Sequence, residues 1–425
     1  MSAPIIDDLK FRGLFVQSTD EAALIEHLAG DRSRTVYCGF DPTADSLHIG
    51  NLVPLLVLQR FQRAGHRPIL LLGGATGLIG DPSGKSEERN LNDESTVAAF
   101  VARIYEQTRR FLSFEGENAA LIVNNLDWTR DRSYIYMLRE VGKYFSVNMM
   151  IQRESVKARL EREGQGISYT EFSYMLLQAN DYYELALREN CSLQIGGNDQ
   201  WGNIVSGVDL VRRKLQRDVH ALTLPLITKA DGTKFGKTAG GSVWLDPART
   251  SPYSFYQFWL NAADADAPHF LRVFTLLPPA AIEDLESKVT QDPSSRRLQR
   301  ALAEAVTTLV HGEEALAAAQ RITQALFSGA LEALTEADLE SLQQDGIPAT
   351  ELPGPDCGLL TALTTAGLAD SNGAARKLVA SGGISVNGEK VNDPRAQLDF
   401  SQGLFGRFFL LRRGKKAWHL LALAQ

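Results

Sequence analysis

The stretch Val36-Tyr-Cys-Gly-Phe40-Asp41-Pro-Thr-Ala-Asp-Ser-Leu-His48-Ile-Gly50-Asn51 changes its pattern at Phe40. The first five residues form a short apolar run suited to a buried strand. A turn follows, and from Leu47 to about Ala64 the apolar residues take helical spacing. A strand that passes directly into a helix is the repeating unit of parallel α/β sheets. Asp45 and Ser46 are candidate N-caps for that helix. Its first turn offers free N–H groups and a positive dipole end, a ready site for phosphate. His48 and Asn51 are three apart and share a helical face, and Gly50 lets a flat ring approach the backbone.

Outward from this segment, Pro68-Ile-Leu-Leu-Leu72 and Leu121-Ile-Val-Asn124 read as further strands, which predicts a parallel sheet. Arg130 to Gly164 is rich in long helical side chains and reads as an insertion between two halves of that sheet. Two nucleotide fingerprints are excluded by their spacing. Gly74, Gly77 and Gly80 run GxxGxxG, not GxGxxG. Gly80-Asp-Pro-Ser-Gly84-Lys85-Ser86 has three residues between its glycines, one short of a phosphate loop. Ser251 to about Leu326 reads as wholly helical. Ser328 to Pro355 is acidic, ends in Leu352-Pro-Gly-Pro355, and reads as a linker.

The chain has 425 residues, enough for several domains, and a net charge of −7. From Asp356 onward nine Lys/Arg face five Asp/Glu, so a basic module follows an acidic body and points to a polyanionic partner. No apolar run is long enough to span a membrane, and the N-terminus has no secretion pattern. Cys38, Cys191 and Cys357 are widely spaced, which predicts neither disulfides nor a zinc site and fits a reducing cytoplasm.

A second motif, Thr228-Lys-Ala-Asp-Gly-Thr-Lys234-Phe-Gly-Lys237-Thr238, has the composition of a glycine-hinged basic loop. The pair of a helix-start His-x-Gly-Asn and a later Lys-x-x-Lys-Thr loop resembles the two motifs, written HIGH and KMSKS, of class I aminoacyl-tRNA synthetases. Asn51 stands where that pattern has its second histidine, and Phe235, Gly236 and Thr238 replace Met, Ser and Ser. Between the motifs, Ser168 and Glu171 form a candidate capping box. Tyr174, Gln178 and Asp181 then fall on one face of the helix it opens. With Gln194-Ile-Gly-Gly-Asn-Asp199-Gln200, Tyr37-Cys38-Gly39 and Gly73–Lys85, these residues are similar to tyrosyl-tRNA synthetases of the bacterial type.

That resemblance implies a fold and a set of roles. The expected fold is a Rossmann-type α/β catalytic domain over 1–227, with a connective, dimer-forming insertion at about 125–165. It continues with the loop and an α-helical anticodon-side domain over 228–327, a linker at 328–355, and a small α+β RNA-binding domain over 356–425. The activity implied is a tyrosine–tRNA ligase: L-tyrosine and ATP give tyrosyl-adenylate, then tyrosyl passes to the 3′ end of tRNA(Tyr). Tyr37 and Asp181 would face the substrate hydroxyl, Tyr174, Gln178 and Asp81 its ammonium group, and Gln200 its carboxylate. Gly39, Asp41, His48, Gly50, Asn51, Asp199 and Lys237 would bind ATP, with Cys38 nearby. Thr43, His48, Lys234, Lys237 and Thr238 would stabilise the departing phosphates, with Mg²⁺ arriving on ATP and no protein-held metal. Gly367 to Gly388 resembles a small RNA-binding domain of a ribosomal small-subunit protein, in which Arg376 and Lys377 would contact phosphates. The resemblance further implies a cytoplasmic homodimer without membrane attachment. The rival readings are a tryptophanyl enzyme of the same architecture and a non-enzymatic, synthetase-like RNA-binding protein.

Overall fold

The apolar runs form strands β1 (Gln17–Ser18), β2 (Thr35–Phe40), β3 (Arg67–Leu72), β4 (Leu121–Asn124), β5 (Cys191–Gly197) and β6 (His220–Leu224) in the computed structural model. The structure describes residues 3–30, 32–83, 92–161, 166–233, 235–238, 241–292 and 295–424. The six strands make one sheet in the order β1-β6-β5-β2-β3-β4. It is parallel except where β1 pairs antiparallel with β6. Chain order reverses at β2 and β5: β3 and β4 add to one side of this pair and β6 to the other. A reversal of this kind leaves a crevice at the carboxyl ends of the strands.

Helices cover the apolar centre of the sheet. Ile69, Leu70, Leu193 and Leu222 are fully buried, as are Leu52, Leu55 and Leu56 of the Ile49–Arg63 helix. Tyr182 and Leu185 of the Tyr169–Arg188 helix join Tyr37, Ile69, Leu71 and Val211 in one cluster. Each such side chain contributes about 1.5–3 kcal/mol through removal from water. The 125–161 insertion is a run of short helices between β4 and the Tyr169–Arg188 helix.

Contacts divide the chain into two units that cut across the sequence-based boundaries. The first comprises Met1–Leu245 and Ala263–Leu298, the second Asp246–Ala262 and Gln299–Gln425. The helical stretch after Ser251 is therefore shared between both units. Within the first unit the loop after residue 228 contains strands β7 (Lys237–Thr238) and β8 (Gly241–Ser242), paired antiparallel.

In the second unit the expected linker proves to be structured. Thr335 and Asp338 form a capping box that opens the Glu336–Ser341 helix, and Arg321 donates two 2.8 Å hydrogen bonds to the Asp338 carboxylate. Strand β9 (Ala349–Leu352) follows, so the Pro/Gly cluster ends a strand. Further strands are β10 (Asp356–Gly358), β11 (Ile384–Val386), β12 (Glu389–Lys390), β13 (Gln397–Asp399), β14 (Phe408–Arg413) and β15 (Ala417–Leu423). β10 and β13 pair antiparallel with each other, and the other five build a sheet in the order β12-β11-β14-β15-β9, in which β9 runs parallel to β15. β9 was invisible to pattern reading because Leu352 is its one buried residue and its partner lies at the far end of the chain. The basic module folds as its sequence predicts. The Asn372–Ala380 helix turns at Gly382 (φ +68°) into β11, and Asn387-Gly388, both at positive φ, make the hairpin turn.

Candidate active site

A cavity of about 660 Å³ opens at the β2/β5 reversal. Tyr37, Asp81, Tyr174, Gln178, Asp181 and Gln200, expected to hold an amino acid, all line it. Gly39, Asp41, Thr43, His48, Gly50, Asn51 and Asp199 line it too, with Cys38 beside them. Lys234 lies outside the described residues, and Lys237 and Thr238 are not among the cavity's described lining residues and are described only as the backbone of β7. Arg376 and Lys377 belong to the other unit, exposed on the Asn372–Ala380 helix away from buried Ala375 and Val379.

The deep wall is a chain of side-chain hydrogen bonds. Trp128 Nε1 donates to Asp181 Oδ1 at 2.9 Å, and Asn125 Nδ2 donates to Asp181 Oδ2 at 3.0 Å. Asn125 also reaches Thr76 Oγ1 at 3.0 Å, and Thr76 donates to Asp41 Oδ1 at 2.6 Å. Tyr174 closes the chain by donating to Asp41 Oδ2 at 2.7 Å. Asp41 is thus held by Tyr174 and Thr76, and it lines the cavity beside Gly39 and Thr43 as well. Gln200 donates to Asp81 Oδ2 at 2.6 Å and so orients that carboxylate. Asn203 and Ser83 also touch Asp81, through a 3.5 Å contact and a 2.9 Å backbone N–H bond. Thr76, Asn125, Trp128 and Asn203 were missed by sequence reasoning. The available signal was position: Asn125 follows β4 at its carboxyl end, and Thr76 lies just beyond β3.

Three buried polar atoms in this wall have no hydrogen-bond partner among the described residues: the Tyr37 hydroxyl, Gln178 Oε1 and Gln194 Oε1. Their residues all line the cavity. An unpaired buried polar atom costs about 1–3 kcal/mol, so these groups are prepared for a ligand. Tyr37 and Asp181 are both buried, and burial raises each one's pKa, that of Asp181 to about 7 despite its two donors. Tyr37 therefore stays a phenol and can donate.

At the mouth, the Ile49–Arg63 helix is capped differently from expectation. Its N-cap is His48, whose Nδ1 accepts from Gly50 N at 3.0 Å, while Asn51 Oδ1 accepts from His48 N at 3.1 Å. Asp45 instead pairs with Arg103, and Ser46 accepts from Gln107. Asn51 thus has a structural task that a histidine ring could not perform in the same way. With Nδ1 accepting, the imidazole proton sits on Nε2, a donor for an anion. A Cβ on Gly50 would lie 2.8 Å from His48 Cε1, so the glycine also makes room for this cap. Pro54, in the same helix, removes the N–H that would otherwise bond the Gly50 carbonyl. Further on, Ser168 caps the Tyr169–Arg188 helix, but the Glu171 carboxylate is paired with buried Arg159 at 2.9 Å.

The two motifs meet through the backbone. Val243 N bonds Gly236 O at 3.1 Å, Ile49 N bonds Val243 O at 3.0 Å, and Leu245 N bonds Leu47 O at 2.8 Å. The returning arm of the loop thereby runs along the start of the helix. Asp41, Asp81, Asp181 and Asp199 all line the cavity, with no Lys or Arg among its described lining residues. Such a cavity suits an ammonium group, and a polyphosphate needs cations brought to its mouth.

The comparisons agree with this geometry. Residues 30–328 match the family of class I tRNA synthetases for tryptophan and tyrosine, and residues 338–421 match the C-terminal domain of SYY-like tyrosine–tRNA ligases. The fold and site thus define a class I aminoacyl-tRNA synthetase. Curated relatives named tyrosine–tRNA ligase include those of Dechloromonas aromatica, 55% identical over 99% of both chains, and Salmonella paratyphi B, 56% identical over 99% of both. A C-terminally truncated mitochondrial tyrosyl-tRNA synthetase from Aspergillus nidulans superposes with a TM-score of 0.69 at 30% identity, covering 76% of this chain and 94% of its own. A Plasmodium falciparum tryptophanyl-tRNA synthetase shares the fold, with a TM-score of 0.54 at 14% identity over 79% of this chain and 87% of its own. This chain belongs to the tyrosine–tRNA ligase family.

The raised pKa of Asp181 has a stability consequence. Its folded value of about 7 exceeds the ordinary 3.8, so its contribution is fully present below that lower value and is lost as pH rises through the higher one. Asp181→Asn, which carries no charge, should therefore gain in Tm relative to the ligand-free wild type between about pH 5 and about pH 8. Thermal melts across that range check this; a constant difference would place the charge elsewhere.

Proposed function

We propose that the cavity converts L-tyrosine and ATP into tyrosyl-adenylate and pyrophosphate, and that tyrosyl then passes to the 3′ end of tRNA(Tyr). The observation that carries the reading is the unpartnered, buried Tyr37 hydroxyl in the same cavity wall as the doubly hydrogen-bonded Asp181. A phenolic hydroxyl between them donates to the carboxylate and accepts from Tyr37. An indole or a phenyl ring would leave the Tyr37 hydroxyl buried and unpaired and offer Asp181 no hydroxyl donor. Asp41 and Asp81 supply the negative charge for the ammonium group, with Tyr174 and Gln178 setting its position.

The substrate carboxylate oxygen attacks the α-phosphorus of ATP in line, and the bond to pyrophosphate breaks. A 2′- or 3′-hydroxyl of the terminal tRNA ribose next attacks the acyl carbon, and AMP leaves. The first step depends on positioning and on charge stabilisation. His48 Nε2–H and Thr43 act from the helix start; Lys234, Lys237 and Thr238 act from the loop, and Mg²⁺ arrives as the counter-ion of ATP. Gly39, Gly50, Asn51 and Asp199 border the nucleoside. The acidity of the cavity supports this division, since the phosphates require the loop lysines.

Lys237→Ala should slow adenylate formation about a hundredfold while tyrosine affinity is retained. Pyrophosphate exchange over a panel of amino acids is the readout. Exchange with tryptophan in place of tyrosine would favour the tryptophanyl reading, and none at all the non-enzymatic one.

Arg376 and Lys377 are read as tRNA-backbone contacts. Removing the module beyond Pro355 is an unsuitable test: it deletes β14 and β15, whose Phe408, Leu410, Trp418 and Leu420 pack on Ile322, Leu326, Leu339 and Leu342. The double variant Arg376→Glu/Lys377→Glu keeps that core. It should weaken tRNA charging strongly at low salt, with the deficit relative to wild type shrinking as salt rises, and with pyrophosphate exchange unaltered. Unimpaired charging would assign tRNA binding to other residues.

The insertion supports a homodimer. Tyr134, Ile135, Leu138, Val147, Ile151 and Leu160 are exposed there, and Tyr169 beside them lies 3.3 Å from Tyr134 through their hydroxyls. Apolar exposure of this density marks an interaction face. Sedimentation should give twice the chain mass for the wild type and a single chain for Ile135→Lys/Val147→Lys; a monomeric wild type removes the reading.

A further inference from the structure

The aromatic residue between the two loop lysines has a built seat. The Phe235 ring stacks on Phe274, with centroids 5.0 Å apart and planes at 25°, and meets Phe270 at 4.8 Å. Both partners lie on the Ala267–Phe274 helix. Phe235 also lines the catalytic cavity, so one ring touches both the site and this helix. Immediately after it, Gly236 has φ +86°, and a Cβ there would come 3.2 Å from Ile49 Cγ1. The chain thus leaves the seat in a conformation that favours glycine, directly over the first residue of the Ile49–Arg63 helix.

The seat is fixed from behind. The Ala267–Phe274 helix ends in carbonyls that lack intrahelical partners. Arg12, 4% exposed, donates to the carbonyls of Arg272, Thr275 and Leu277 at 2.9, 3.1 and 2.8 Å. Arg60, 5% exposed, donates to those of Val273 and Thr275 at 3.3 and 2.5 Å. Asp8 pairs with Arg12 at 2.8 Å and lies 3.5 Å from Arg60. Cationic groups at a helix C-terminus are favoured by its dipole. Arg60 belongs to the helix that His48 caps, so that helix holds the seat near one end and carries a catalytic group at the other.

We infer that Phe235 is a positioning residue: seated on Phe270 and Phe274, it sets where Lys234 and Lys237 stand relative to His48. The inference rests on the assignment of those lysines to the phosphates. Displacing a catalytic group by about 1 Å costs on the order of a hundredfold in rate, so an aromatic anchor next to the lysines has leverage that an ordinary packing contact lacks.

The test measures single-turnover adenylate formation, tyrosine Kd and Tm for Phe235→Ala and Phe235→Leu, each alone and combined with Lys237→Ala. Phe235→Ala should slow the step about tenfold or more, and Phe235→Leu less, with Kd and Tm unmoved. In the Lys237→Ala background Phe235→Ala should cost less than it does alone, because Lys237 is one of the two groups it positions. A full rate for Phe235→Ala beside a slow Lys237→Ala overturns the seat and leaves the loop assignment standing. A full rate for Lys237→Ala overturns both. Additive losses, or a fall in Tm and tyrosine affinity matching the loss of rate, reduce Phe235 to a packing residue and overturn the inference.

Discussion

A single chain of hydrogen bonds, from Trp128 through Asp181, Asn125, Thr76 and Asp41 to Tyr174, holds the carboxyl ends of β2, β3 and β4 to the Tyr169–Arg188 helix. Backbone pairing sets the strands side by side but leaves their ends free to splay. These side chains remove that freedom. Each bond polarises the next in a water-poor interior, so the network is stronger than its separate parts. It also burdens the apo protein with carboxylates in a poor dielectric, which is why burial raises the pKa of Asp181 so far. The site is assembled before its ligand arrives, and reorganisation during the reaction is correspondingly small.

The acidic wall imposes a division of labour. Carboxylates that suit an ammonium group repel phosphates, so cations must come from a segment outside the sheet. In the proposed reading the loop after residue 228 supplies them; its returning arm is stitched to the helix start by backbone hydrogen bonds. Its outgoing arm is steadied by the bond from Ala230 N to Asp266 at 2.6 Å and by the Phe235 seat. The lysine-bearing segment is therefore tethered on both sides.

Most of this was legible in the sequence where chemistry and period coincide. The parallel sheet followed from short apolar runs, and the Tyr174, Gln178 and Asp181 face from helical spacing. What stayed hidden depends on partners remote in the chain. Asp41 looks like a turn residue until Tyr174 and Thr76 reach it. Asn51 looks like a defective motif histidine until its amide oxygen is seen to cap the helix through His48 N. Glu171 looks like half of a capping box, yet a buried arginine claims it. Ala349–Leu352 looks like linker because its hydrogen bonds come from the last strand.

The pairing of β9 with β15 ties assembly to the direction of synthesis. The strand at Ala349–Leu352 emerges early and finds its partner only when Leu420–Leu423 has been made. The second unit, which also includes Asp246–Ala262, can close its core only after Leu423 has been made. Sheet β1–β6 has all its strands by Leu224 and can form much sooner. Ribosome-bound chains thus hold a complete β1–β6 sheet ahead of a half-made second unit. Ile322, Leu326 and Leu339 remain uncovered for that interval, the period of greatest exposure to aggregation.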